Sequence, residues 1–287
     1  MRGARIAVIT GASSGLGRAF AIETGRLGGI DEIWLIARRR ENLERLAGEL
    51  PVKGRVFALD LLAEDSFVSL RKFLEEERPD IALLINNAGR GSVISFERES
   101  LKDMEDMVRL NAEVPMKLTR LCLPYMKGAS GIINVCSAAS FVPLPGLSVY
   151  SASKSFLLSF SRSLCRELKG RGIVVTALCP YWIGDTEFME KAGAAVHPLG
   201  LLTAEEVARQ GLSDNRRGRE VSLPGIMSRL TWLGAALLPL PVLLFLKGFL
   251  VHEKTSDSFR GPKFFISSER YFPQAGDGRQ ALNSAFR

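Results

Sequence analysis

Arg5-Ile-Ala-Val-Ile-Thr10-Gly11-Ala-Ser-Ser-Gly15-Leu-Gly17-Arg18-Ala-Phe-Ala-Ile-Glu23 is the stretch that decides the fold. Its first six residues read as a buried strand, and the residues after Gly17 as a helix. Between them lies a glycine-rich turn. Gly11 permits the tight turn, Gly15 lets the backbone approach a pyrophosphate, and Gly17 allows helix and sheet to pack closely. Amides at the helix start, with the positive end of its dipole, suit an anion. The glycine spacing differs from the common G-x-G-x-x-G, and the competing reading is a purely structural turn.

The same alternation continues outward. Further strands are expected at Glu32–Ala37, Arg55–Leu59, Ile81–Asn86, Gly131–Ser137, Ile173–Leu178 and Arg219–Leu223, with the longest helices at Leu101–Met126 and Val149–Lys169. Short apolar runs alternating with longer amphipathic ones predict an α/β fold, a doubly wound parallel sheet of about seven strands. A chain of 287 residues can bury one sizeable core. Residues 1–224 are expected to form the catalytic domain, and 225–287 a C-terminal extension with an apolar helical segment at 230–251 and a polar tail.

Chemistry concentrates in Val149-Tyr-Ser-Ala-Ser-Lys154, with Ser137 thirteen residues before Tyr150. On a helix, Tyr150 and Lys154 stand side by side at i, i+4. A cation there favours phenolate and lowers a pKa that is otherwise about 10, which would make the phenol a proton donor and acceptor near neutral pH. Alone, a Tyr-xxx-Lys arises often by chance. Together with the turn at Thr10–Gly17, with Asn86-Asn-Ala-Gly89 and with Asn111 it resembles the short-chain dehydrogenase/reductase family, from about Arg5 to about Glu187.

That resemblance implies a Rossmann-type sheet, a nicotinamide cofactor and a catalytic tetrad of Asn111, Ser137, Tyr150 and Lys154. Ser137 would hold the substrate oxygen and Tyr150 would give or take its proton. Lys154 would bind the nicotinamide ribose and depress the Tyr150 pKa, while Asn111 would kink a helix and hold a relay water. By itself Asn111 is equally a plain surface asparagine. The resemblance assigns to cofactor binding Gly11, Ser13, Ser14, Gly15, Leu16 and Gly17 of the turn, then Asp60, Leu61, Asn87, Ala88 and Gly89 at later strand ends. Read alone, these later positions are also ordinary turn residues. Ile183 and Thr186 would hold the carboxamide, although Pro180-Tyr181 replaces the usual Pro-Gly and one extra residue separates the two.

Cofactor choice is read at the end of the second strand. Ala37 stands where an acid would bind a ribose 2′-hydroxyl, and Arg38 follows it, so NADP(H) is favoured over NAD(H). The competing reading is that Arg38–Arg40 solvate the start of a helix.

Glu187–Leu202 reads as a mobile substrate lid with short helical character. With Phe141, Val142, Leu144 and Leu147 it points to a hydrophobic carbonyl or alcohol substrate, such as a steroid, a retinoid or a fatty-acyl derivative. The alternative is that these residues pack among themselves. Leu230–Leu246 is seventeen residues without a charge, interrupted by Pro239 and Pro241. Each piece would be only about 14–15 Å long as a helix, too short to cross a bilayer. A flap over the substrate pocket and a peripheral membrane contact through 230–251, flanked by Arg229, Lys247 and Lys254, are the readings preferred to a span.

Four scattered cysteines and two histidines offer no metal constellation, so no metal is expected. No secretory signal is read, and the expected location is the cytoplasm, with membrane association if 230–251 is an anchor. The net charge of +7 lacks any nucleic-acid motif. A homodimer or homotetramer is expected through the two long helices, where Ser151, Ala152, Ser155 and Ser159 would permit close approach. Against an oxidoreductase stand a non-catalytic NADP(H)-binding sensor or scaffold, which has no need of the tetrad, and an epimerase or dehydratase, whose glycine spacing differs.

Overall fold

The structure is a computed structural model, and it describes residues 4–184, 194–196, 200–239, 242 and 251–253. Strands run in chain order as β1 Arg5–Thr10, β2 Glu32–Ala37, β3 Lys53–Ala58, β4 Asp80–Asn86, β5 Gly131–Val135, β6 Val174–Leu178, β7 Ala194–Val196, β8 Val221–Ser222 and β9 Val251–Glu253. Seven of them form one parallel sheet in the order β3-β2-β1-β4-β5-β6-β8. The helices are α1 Gly15–Arg26, α2 Arg40–Glu49, α3 Glu64–Glu77, α4 Leu101–Val108, α5 Val114–Cys122, α6 Ser148–Glu167, α7 Ala204–Arg216 and α8 Gly225–Leu237.

Alternate residues of β1 feed two cores, as the period of a strand requires. Ala7 and Ile9 pack with Phe20 of α1, Leu43 of α2 and Val207 of α7. Ile6 and Val8 face the other way, onto Phe67 and Leu70 of α3 and Leu118 of α5. Both sheet faces are therefore covered, which explains why β2 is buried at every position and reads as a continuous apolar run from Ile33 to Ala37. The chain moves outward from β1 to β3 and then returns to place β4 on the other side of β1. This reversal opens a crevice at the carboxyl ends of β1 and β4, where open α/β sheets bind ligands.

Leu101–Met126 is not one helix. α4 and α5 are joined by a π-helical turn at Arg109–Glu113, and a 3₁₀ turn follows at Leu123–Tyr125. Pro115 has no N–H to offer the Asn111 carbonyl, so the regular ladder breaks there. β3 begins earlier than expected. β5 ends at Val135 because Ser137 starts a capping box, its Oγ accepting from the Ala139 amide at 3.1 Å. The apolar C-terminal helix begins at Gly225, not Leu230, and stops at Leu237, just before Pro239. Within the expected lid, Ala194–Val196 is a strand paired antiparallel with Val251–Glu253, not a helix. Thr186 and the rest of 185–193, 197–199, 240–250 apart from Val242, and the tail from Lys254 lie outside the described residues.

Candidate active site

The crevice is a cleft of about 690 Å³ running from the glycine turn to Trp182. At its first end Gly11 and Gly15 have φ of +65° and +50°, a conformation that favours glycine. A Cβ on Gly17 would lie 2.1 Å from the Gly11 carbonyl oxygen, so helix α1 meets the turn at bare backbone. The turn is braced from β4. Asn87 Nδ2 donates to Thr10 O at 2.9 Å, and Thr10 Oγ1 accepts from the Asn87 and Ala88 amides at 3.0 Å each. Asn87 thus holds the turn with its side chain while it lines the cleft.

Arg38 is exposed and lines the cleft, as does Arg39. Arg39, which sequence reasoning left among solvating residues, donates to Ser14 Oγ at 2.7 Å and Ser13 Oγ at 3.2 Å. The signal for it was the Arg38–Arg40 run itself, which cannot say which guanidinium turns toward the glycine turn. Leu16, Gly17, Asp60, Leu61, Ala88 and Gly89 also line the cleft. The Asp60 carboxylate caps the next turn, accepting from Leu62 N at 3.0 Å.

At the other end Ser137, Tyr150 and Lys154 come together. Lys154 Nζ donates to Val135 O at 2.7 Å and lies 5.9 Å from the Tyr150 ring centroid. Ser137 hydrogen-bonds Tyr150. Asn111 is fully buried in the π-helical turn, not on the surface. Its Oδ1 accepts from Arg90 N at 2.9 Å, and its Nδ2 donates to Arg90 O at 2.8 Å and Ser153 Oγ at 3.0 Å. Ser153 donates in turn to Tyr150 O at 2.7 Å, a link that the sequence reading missed. Gly89 sits between Asn111 and Lys154, where a Cβ would lie 3.0 Å from Asn111 Oδ1 and 3.3 Å from Lys154 Nζ.

The expected depression of the Tyr150 pKa is not what this geometry produces. Burial pushes the phenol up to about 12, with the Ser137 hydrogen bond opposing. Lys154 is buried too, and burial brings its ammonium down to about 8. Both shifts have the same cause, exclusion of water, which at the phenol outweighs the Ser137 hydrogen bond. Beneath them Cys136 and Cys179, distant in sequence, are neighbours at the ends of β5 and β6. Their predecessors Val135 and Leu178 are register partners, and the two thiols share a hydrogen bond. Burial pushes Cys179 up, which fits an unreactive core thiol.

Of the apolar residues expected around the substrate, Leu144 and Leu147 line the cleft. Val142 is buried and Phe141 packs against the core beside α6, so neither is a lining residue. Trp182 and Ile183 line the cleft as well, and Ile183 bridges to Leu202.

Residues 5–197 match the family described as short chain dehydrogenase. The chain belongs to this family. It is 36% identical over 192 residues to a very-long-chain 3-oxoacyl-CoA reductase of Anas platyrhynchos, covering 62% of this chain and 59% of that protein. The chain thus spans about three-fifths of the length of that curated relative. A 17-beta-hydroxysteroid dehydrogenase type 3 of Danio rerio is 31% identical over 223 residues, covering 74% of this chain and 70% of that protein. Among solved structures, a short-chain dehydrogenase from Sphingobium yanoikuyae in complex with NADPH superposes with a TM-score of 0.71 at 29% identity, covering 81% of this chain and 93% of the other.

Proposed function

We propose that the protein is an NADP(H)-dependent oxidoreductase that interconverts a hydrophobic ketone and its secondary alcohol. The observation that carries this is the convergence of Ser137, Tyr150, Lys154 and the buried Asn111 at one end of a cleft whose other end presents Arg38 and Arg39. The residues fit a nicotinamide dinucleotide. Gly11, Gly17 and Gly89 line the cleft and let the turn, the start of α1 and the end of β4 pack closely there, and the start of α1 has no side-chain cap on its amides. Arg38 and Arg39 suit a 2′-phosphate in place of a ribose hydroxyl.

When bound, the cofactor supplies or accepts the hydride. The chain's own groups manage position and proton. Ser137 Oγ fixes the substrate oxygen, and Tyr150 Oη transfers the proton to it in reduction or takes it in oxidation. With the phenol held up to about 12 by burial, reduction starts from a protonated Tyr150. Lys154, anchored on Val135 O, would offer its remaining donors to the nicotinamide ribose, and the Arg90–Asn111–Ser153 bonds tie down the first turn of α6. Tyr150→Phe should lower turnover of a carbonyl panel at least about 100-fold while NADPH affinity changes little, because only the transferable proton is removed. Retained turnover would refute the assignment, and wild-type binding of NADPH without turnover of any carbonyl would favour the sensor reading.

Two contacts accompany this reading. Ser151 is buried and Ser155 donates to Ser140 O at 2.9 Å, so the small residues of α6 are not one outward face. Phe156 on α6, with Leu101 and Val108 on α4, is exposed and supports a homodimer through these helices. Ile226, Leu230, Leu233 and Leu237 form a stripe on α8 at 61%, 52%, 46% and 71% exposure, which supports peripheral contact with an anionic membrane through a chain of net charge +7. Among the described residues no helix is long and apolar enough to cross a membrane.

A further inference from the structure

After the sixth strand, where the family resemblance implies Pro-Gly, this chain carries Pro180, Tyr181 and then Trp182. The backbone there is not loose. Leu202 N donates to Trp182 O at 3.4 Å, Gly184 N donates to Leu202 O at 3.0 Å, and Ile183 forms a parallel bridge with Leu202. Leu202 in turn precedes Thr203, which caps α7 with a reciprocal pair of bonds to Glu206. The first residues beyond β6 are thus tied to a helix twenty residues further along the chain.

The indole is fixed as well. Its N–H is engaged by the Tyr181 hydroxyl, and the two rings meet edge to face at 82°. What remains is apolar ring surface, packed beside Leu144, Leu147, Val93 and Tyr150 and open to the cleft. Charge at this end is already spent. Arg90, which lines the cleft here, is ion-paired with Asp103 at 2.5 Å and Asp106 at 3.6 Å. Lys154 is buried on Val135 O.

We infer that Trp182 sets the substrate class, forming with Leu144 and Leu147 a rigid apolar wall beside Tyr150 that selects a flat, uncharged, multi-ring ketone or alcohol. The inference rests on the oxidoreductase reading and narrows it. A rigid ring system stacks on a preformed aromatic face with little loss of freedom, whereas a flexible acyl chain must freeze rotor after rotor to make the same contact. A carrier-linked, phosphate-bearing substrate would find no unpaired cation among the described residues lining this end. The wall discriminates by shape and by neutrality.

The test compares wild type, Trp182→Ala and Trp182→Phe with saturating NADPH on two probes, a tetracyclic steroid ketone and ethyl acetoacetate. The steroid-to-acetoacetate ratio of kcat/KM should fall about 10-fold or more in Trp182→Ala, chiefly through KM for the steroid. Trp182→Phe, which keeps an aromatic face, should recover most of it. A residue that merely supports the fold would lower both substrates together, and an unchanged ratio overturns the inference. Calorimetry of the steroid on NADPH-loaded protein gives a readout independent of turnover. If wild type binds the steroid and Trp182→Ala loses about 10-fold in affinity, the wall stands even where no ketone is reduced, and that result rejects the oxidoreductase reading alone. Equal steroid affinity in both proteins, or none in wild type, rejects the wall.

Discussion

Gly17→Ala and Gly48→Ala are the same chemical change in two helices, and the structure assigns them opposite signs. At Gly17 the new methyl would lie 2.1 Å from Gly11 O, 2.6 Å from Gly11 C and 2.6 Å from Asn87 Nδ2. Ordinary contact begins near 3.4 Å, so the turn must open by about 1 Å, and the obstacle is backbone that no rotamer change can remove. Opening it also strains the Asn87 bonds to Thr10 O and Gly11 O. Overpacking costs about 1–3 kcal/mol and each hydrogen bond contributes about 1 kcal/mol, against at most ~1 kcal/mol gained from the better helix former. The net expectation is a loss of about 2–4 kcal/mol. At Gly48 in α2 nothing lies within 4 Å of the new methyl, so that substitution should stabilise by about 0.5–1 kcal/mol. Urea unfolding followed by circular dichroism measures both, and calorimetry with NADPH reads the turn. Gly17→Ala should weaken NADPH binding and Gly48→Ala should leave it alone. A Gly17→Ala protein as stable as wild type, with unaltered NADPH affinity, would refute the close-contact argument.

Three further outcomes are expected. The folded chain releases the Lys154 proton near pH 8 and the unfolded chain near 10.5, so the unfolded state binds more protons between these values and stability rises with pH through that window, by on the order of 3 kcal/mol. Urea midpoints should therefore show wild type gaining on Lys154→Met from pH 8 to 10.5, and a pH-independent difference would contradict the burial of a charged amine. Arg38→Ala and Arg39→Ala should each weaken NADPH about 10-fold, roughly 1.4 kcal/mol, and leave NADH within about 2-fold; equal losses for both cofactors would remove these residues from the 2′-phosphate. Leu230→Glu, Leu233→Glu and Leu237→Glu together should abolish co-sedimentation with phosphatidylserine vesicles without unfolding the protein, since all three side chains are exposed; unchanged sedimentation would leave α8 free for another partner.

The amino-acid sequence by itself determined the sheet and the position of the crevice, and it singled out Ser137, Tyr150 and Lys154, which the fold brings together. Those signals are contiguous or periodic. An apolar run, a turn whose glycines are spaced for close approach, and a Tyr and Lys one helical turn apart each act within a few residues of themselves. Tertiary structure alone decided what depends on distant parts of the chain. Asn111, in the π-helical turn that interrupts a helix periodicity made continuous, bonds both backbone groups of Arg90. Arg39 turns onto Ser13 and Ser14, because the direction of a side chain just past a strand end depends on the backbone of the following turn. Strand register sets Cys136 beside Cys179, and Leu202 reaches back to pin Trp182. Above all, the Tyr150 and Lys154 pKa values are set by desolvation, and burial is a property of everything packed around a group. Four residues of sequence place the phenol beside the amine; only the assembled fold excludes the water whose loss moves both.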